Sequence, residues 1–288
     1  MKTSICAGLV AVLLLAGCDA NPKARSQVKA PETTVEKAAP EATPQAKAGT
    51  LSDELSPRQL ALAMTLLDAP LHYAPGRYSQ FMVPTNKDSF PLVLGRKTGR
   101  PLAAAGISQQ GRRYIAFGTV PVSYELQSFH HNLQEMVGWL LSGQPGLVYK
   151  PGAVVATLYL GAQESKVTSW LRHNMKDVAL VRCEVLGLKE CLSAADLVVT
   201  GAEGDGKQAK ELVAMLAQRA KLPILYFHTP YWKESEFATT MLDSMHLKQG
   251  EAGGNYWAQD AANWDNLGDM FQTRLAMNAP KDEGNRSE

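Results

Sequence analysis

The sequence predicts an α/β domain built on a mainly parallel sheet with helices on both faces. Two observations carry this. Through the second half of the chain, short strand-like runs alternate with amphipathic helical segments at the spacing of βαβ units. The composition is also that of an ordinary globular chain, with 45% hydrophobic and 20% charged residues. The order of the strands is not readable from one sequence. The expectation is one folded domain over residues 51–275, with Leu51–Ser142 closely packed as part of the same sheet.

The elements follow in order. Ser56-Pro57 opens a helix, with serine as cap and proline in the first turn, and Leu60, Met64 and Leu67 fall on one face. Loop signals continue through Asn86-Lys87-Asp88, followed by short apolar runs at Pro91–Leu94 and Leu102–Ala105. Gly111–Gly118 reads as a strand bounded by glycines. Phe129–Leu141 has helical spacing, with Leu133, Met136, Val137 and Leu140 on one face. Ala153–Leu160 is a strong strand. Glu164–Asn174 is a helix with Val167, Trp170 and Leu171 inward. Val178–Val181 and Asp196–Thr200 are strands on either side of a Cys183–Cys191 excursion. Lys207–Lys221 is the clearest helix, carrying Ala209, Leu212, Val213, Leu216 and Ala220 at 3.6-residue spacing. Leu222–Phe227 is a buried strand, and Glu234–His246 is a final helix.

The N-terminus carries an address. Lys2 precedes an apolar run, Ile5 to Leu15, that is too short to span a bilayer but fits a secretory signal. Leu15-Ala16-Gly17-Cys18 matches a bacterial lipobox, so residues 1–17 are expected to leave as a signal peptide and Cys18 to receive acyl chains such as palmitate. More than one chain gives a firm anchor. Asp19, directly after the lipidated cysteine, suggests the periplasmic face of the inner membrane, with the outer membrane or cell surface as the alternative. Residues 19–50 hold almost no large apolar side chains, so a disordered tether over 18–50 is expected. Its reach as a flexible coil is about 30 Å. A short disordered tail over 276–288 is expected at the other end.

A formal net charge of +1 gives no electrostatic footprint for nucleic acid. Once Cys6 leaves and Cys18 is acylated, Cys183 and Cys191 remain in an oxidising compartment, which predicts a structural disulfide. Motifs for metal, cofactor or nucleophilic chemistry are missing from the sequence. No HExxH occurs, and adjacent His130 and His131 point about 100° apart on a helix, so they do not chelate as a pair. Thr200–Gly206 lies where a nucleophile elbow or phosphate loop would sit. It offers Ala202 and Glu203 instead of Cys or Ser, and Gly206-Lys207-Gln208 has no hydroxyl for magnesium. The segment reads as a glycine-rich strand-to-helix turn with Asp205 as cap.

The strongest binding candidates are His228-Thr229-Pro230-Tyr231-Trp232 and Gly253-Gly254-Asn255-Tyr256-Trp257, with Asp260 downstream. Aromatic rings with an amide and a carboxylate in loops suit a carbohydrate or peptide groove. The other reading is that Tyr231, Trp232, Tyr256 and Trp257 cap the core beneath a long loop.

These segments, with Ala105–Gly118 and the helix carrying Asn132 and Trp139, also carry a resemblance. Over roughly residues 55–275 the chain resembles the N-terminal region of IMPa-type proteins, the secreted mucin-degrading metalloproteases that include AcfD and SslE. The resemblance implies a class I glutamine amidotransferase-like α/β sandwich without its catalytic cysteine, in agreement with the empty turn at Ala202–Glu203. Proteolysis in that family rests on a zinc-binding HExxH in a later domain, so protease activity is not implied. The reading that follows is a non-catalytic, lipid-anchored accessory domain binding glycan, glycoprotein or a protein partner at the cell envelope. The alternatives are an envelope glycan or peptide hydrolase using His228 with Glu203 or Asp205, or a fragment of a longer metalloprotease.

Overall fold

The computed structural model describes residues 55–68, 80–94, 101–123, 127–229 and 235–250. Helix α1 spans Pro57–Leu66. Strands β1 (Met82–Pro84), β2 (Ser89–Leu94), β3 (Pro101–Ile107) and β4 (Arg113–Phe117) follow, then α2 (Gln127–Ser142) and β5 (Ala153–Leu158). Next come α3 (Glu164–Asn174), β6 (Val178–Arg182), α4 (Leu188–Ala194), β7 (Leu197–Thr200) and α5 (Gly206–Gln218). The last elements are β8 (Ile224–Phe227), α6 (Glu236–Ser244) and β9 (Leu247–Gln249).

Seven strands form one sheet in the order β2-β3-β4-β8-β7-β5-β6. The β4–β8, β8–β7, β7–β5 and β5–β6 pairs are parallel, and β2–β3 and β3–β4 are antiparallel. The sheet is therefore mainly parallel, as the alternation of elements predicts. Side chains of the central strands alternate between two cores, as a doubly covered sheet requires. Ile115, Phe117, Leu197, Val199, Leu225 and Phe227 pack with side chains of α1, α2 and α3. Tyr114, Ala116, Val198, Ile224 and Tyr226 pack on the opposite face with those of α4, α5 and α6.

Local chemistry sets the helix boundaries. Ser56 accepts the Gln59 amide while the Gln59 side chain returns to the Ser56 amide, and Pro57 occupies the first turn. The buried face of α1 differs from the predicted one. Ala63, Leu66 and Leu67 are fully buried, whereas Met64 is 44% exposed. Over so short a helix the contact with α2 decides which face turns inward. The α2 face, Leu133, Met136, Val137 and Leu140, is buried as predicted, and α3 has the predicted bounds.

Three elements carry no periodic signal. Helix α4 begins inside the Cys183–Cys191 excursion, with Leu188 and Leu192 buried. Strands β1 and β9 form a separate antiparallel pair of three residues each, too short for periodicity to register. His246, with φ 55°, reverses the chain between α6 and β9.

Candidate functional site

Strand β5 leads through α3 to β6 on one side, while β7 leads through α5 to β8 on the other. The two helices lie on opposite faces. The carboxyl ends of β5 and β7 therefore flank a reversal of strand order, the place where open α/β sheets bind ligands.

Three turns are stitched together there. Tyr159, directly after β5, has φ 51°, a left-handed conformation uncommon for an aromatic residue. Its carbonyl accepts the Glu203 N–H at 2.9 Å, and the Leu158 carbonyl accepts the Gly201 N–H at 3.2 Å. A Cβ on Gly201 would stand 2.3 Å from the Tyr159 carbonyl oxygen, so the close approach of the two turns requires glycine. Gly161 has φ 54°, and a Cβ there would meet the Glu203 side chain at 2.5 Å. From the third turn, Thr229 Oγ1 accepts the Ala202 N–H at 2.8 Å.

Buried polar side chains gather at the same edge. Thr119 follows β4, Thr157 and Thr200 lie at the ends of β5 and β7, and His228 and Thr229 follow β8; all are almost fully buried. Each needs a partner to offset desolvation. Thr157 Oγ1 donates to Glu164 Oε1 at 2.7 Å. The His228 backbone donates to the Phe117 carbonyl at 2.9 Å, and its Nδ1 lies 3.0 Å from the Tyr226 hydroxyl. Burial pushes the Tyr226 phenol well above its ordinary pKa, which keeps it neutral.

The rim carries the exposed chemistry. The Tyr159 ring packs on Phe237 with centroids 4.7 Å apart. Burial, and then the nearby Glu211 and Asp205 carboxylates, raise the phenol's pKa, so it is a neutral hydrogen-bond donor. Glu203 and Asp205 are exposed. Asp205 caps α5, accepting the Gln208 N–H at 2.8 Å, as its position before that helix predicts. Lys210 pairs with Glu236 at 2.8 Å. The edge thus combines an aromatic ring, a phenolic donor and carboxylate acceptors.

The sequence puts the nucleophile-elbow position at Ala202–Glu203, in a glycine-rich strand-to-helix turn; the left-handed residue lies in the neighbouring turn, at Tyr159. Leu158-Tyr159-Leu160 continues an apolar strand pattern and hides the reversal; the one available signal was Gly161. Among the predicted site residues, His228 is fully buried at the carboxyl edge. Cys18, Tyr231, Trp232, Asn255, Tyr256, Trp257 and Asp260 lie outside the described residues, as do the signal, tether and tail segments. Cys183 and Cys191 form the predicted disulfide, with Cα atoms 5.7 Å apart.

The family model described as the immunomodulating metalloprotease N-terminal domain matches residues 61–256. The chain belongs to this family. A relative named immunomodulating metalloprotease, from Pseudomonas aeruginosa, is 31% identical over 194 residues, covering 65% of this chain and 20% of that protein. The chain thus spans about one fifth of the relative's length.

Among solved structures, IMPa from Pseudomonas aeruginosa in complex with an O-glycopeptide is similar at TM-score 0.63 and 25% identity, over 80% of this chain and 26% of that one. The IMPa metallopeptidase in complex with T-antigen shows the same fold at TM-score 0.59 and 23% identity, over 80% of this chain and 28% of that one. Membership of a metalloprotease N-terminal family raises the question of a metal. Among the described residues no three His, Cys, Asp or Glu side chains converge to hold one.

Proposed function

We propose that this chain is a non-catalytic accessory domain, tethered to the bacterial envelope by lipid on Cys18, that binds glycan or glycopeptide at the carboxyl edge of its sheet. The observation that carries the reading is the convergence of Tyr159, Glu203 and the buried polar groups where the strand order reverses. Sugar rings offer an apolar face for stacking and hydroxyl donors for carboxylates, and the rim supplies both partners. Exposed carboxylates repel anions, so the favoured ligand is a neutral, hydroxyl-rich glycan.

IMPa structures in complex with an O-glycopeptide and with T-antigen support the ligand class. A class I amidotransferase-like sandwich is the finer fold we assign, with Tyr159 at the strained turn. The lipobox Leu15-Ala16-Gly17-Cys18 supports the anchor, and Asp19 favours the periplasmic face of the inner membrane.

The test is calorimetric titration of the full chain with a neutral O-glycopeptide. Glu203→Gln and Tyr159→Phe keep shape while removing a charge or a hydroxyl. Each is expected to weaken affinity by about tenfold, the worth of one hydrogen bond to a charged group or sugar, with melting little changed. Trp232→Ala and Trp257→Ala weaken it too where the aromatic loops share the site. Undiminished binding by all four variants rejects the site. Release of cleaved product by the wild type would replace this reading with hydrolysis involving His228. Incorporation of a palmitate analogue, lost in Cys18→Ala, tests the anchor.

A further inference from the structure

Arg113 opens β4, at the amino end of the parallel strands and so at the opposite end of the sheet from Tyr159 and Glu203. A cleft of about 630 Å³ lies there between α1, the turn before β2, the β3–β4 hairpin and the end of α2. That volume is in the range of ligand sites. Leu62, Ile107 and Trp139 give it an apolar floor. Arg58, Lys87 and Arg113 also line it, against the single carboxylate of Asp88, which leaves two positive charges in excess. The charge is opposite to that of the carboxyl edge, where Glu203 and Asp205 are exposed.

Among the described residues no carboxylate pairs with Arg58, Lys87 or Arg113. Arg58 and Lys87 are exposed, but Arg113 is half-buried. Its Nε and Nη2 donate to the Leu140 carbonyl at 3.1 and 2.7 Å, near the end of α2, where the helix dipole favours a cation. That contact fixes the plane of the guanidinium and leaves Nη1 without a partner among the described residues. Nη1 lies beside Gly143, where an added Cβ would stand 3.2 Å from it. Burial lowers the Arg113 pKa from its ordinary value, yet the guanidinium stays charged. A cation partly withdrawn from water without a counter-charge is costly, and an anion in the cleft offsets that cost.

A second lobe of about 830 Å³ adjoins the first. Gln59 and Lys87 line both, and the Gln59 side-chain amide donates to the Lys87 carbonyl at 2.8 Å. Val83, Pro84, Pro91 and Pro101 wall the second lobe, with the exposed Thr85 and Asn86 beside them. The proline and valine walls suit apolar side chains, and the hydroxyl and amide suit an extended peptide backbone. A sugar acid has no apolar chain to fill this lobe, and an alkyl carboxylate makes no use of its polar groups. We propose that the cleft binds an acidic peptide segment of another protein. A glutamate or aspartate side chain is held by Arg58, Lys87 and Nη1 of Arg113, and adjoining apolar side chains occupy the proline-lined lobe.

Fluorescence anisotropy of a dye-labelled, end-capped peptide of alternating leucine and glutamate tests the proposal. It is titrated with the full chain carrying Cys18→Ser, which keeps acyl chains out of the assay. The peptide holds no sugar, so the outcome is independent of the glycan reading. The expected result is saturable binding that weakens with salt and falls about tenfold when glutamine replaces glutamate in the peptide. Arg58→Gln and Lys87→Gln, both at exposed positions, each weaken it by about two- to fivefold, the worth of an exposed ion pair, with the melting curve in place. Arg58→Glu with Lys87→Glu abolishes it. Lys176→Glu with Lys189→Glu makes the same change of net charge at exposed positions before β6 and in α4, and leaves binding unchanged. No binding, equal affinity for the glutamine peptide, or equal loss in the two charge-reversed chains overturns the proposal. So does displacement of the labelled peptide by N-acetylneuraminate or decanoate at a lower concentration than by unlabelled peptide, which would make the ligand a sugar acid or an alkyl carboxylate.

Discussion

The Tyr159 carbonyl accepts the Glu203 N–H at 2.9 Å, joining the turns that leave β5 and β7 on either side of the strand-order reversal. That bond exists because the two backbones run unusually close. The closeness rests on Gly201, where an added Cβ would stand 2.3 Å from the Tyr159 oxygen and 2.9 Å from Thr229. Gly201→Ala must therefore move backbone, and it should lower stability by about 1–3 kcal/mol as an overpacking change does. Thr229→Ala leaves the Ala202 N–H buried without its 2.8 Å partner and should cost about 1–3 kcal/mol. Urea unfolding followed by circular dichroism measures both.

Alkaline stability should report on Tyr114. Its hydroxyl lies 2.8 Å from Ser89 Oγ, in space that Gly106 leaves open. Burial chiefly pushes its pKa up to about 12; the Ser89 hydrogen bond works against this and the Asp88 charge adds to it. The unfolded value is about 10. A group whose folded pKa is raised contributes stability that is complete below the unfolded pKa and is lost as pH rises through the folded one. Stability should therefore fall between about pH 10 and pH 12, and Tyr114→Phe should flatten that fall relative to wild type. At neutral pH the variant should be less stable by about 1 kcal/mol, the worth of the lost hydrogen bond. Urea midpoints across this pH range give the comparison.

What could be read in advance was whatever depends on neighbours in sequence. The α3 bounds, the Ser56 and Asp205 caps and the buried face of α2 all follow from local spacing and side-chain chemistry. The strand order depends on pairings between distant segments such as β4 with β8, which leave no local trace. The α1 face was misread because Ala63 and Met64 differ little in pattern, and packing against α2 chose between them. The site was half legible. Asp205 and the glycine turn announced themselves, but the strained position did not, because Tyr159 sits inside an apolar run and its left-handed φ is imposed by the crossing turns.

The Cys183–Cys191 bridge closes a short loop from the end of β6 into α4, where Leu188 and Leu192 are buried. Tying these ends together restricts the unfolded chain. Replacing both cysteines with serine should reduce stability by about 2–3 kcal/mol by loop entropy. Reductant should lower the wild-type stability by this loop-entropy share alone and leave the double variant unmoved. The loss of Cys183, which is buried, adds a packing cost that reduction alone does not produce. The difference between the two experiments separates packing from cross-linking.

The strain at Tyr159 can be measured by a pair of substitutions. Tyr159→Ala and Tyr159→Gly both remove the ring that packs 4.7 Å from Phe237, so the packing loss is common to both. Alanine must still adopt φ 51°, whereas glycine reaches that region without steric cost. Glycine also enlarges the unfolded ensemble, which offsets part of its advantage. If the left-handed conformation costs the ~1–2 kcal/mol expected for an L-residue, the glycine variant should be the more stable of the two by about 1 kcal/mol. Equal stabilities would show that Tyr159 is not held in a strained turn. In ligand titrations both variants should bind weakly, because both lack the ring, so stability and recognition part company at this one residue.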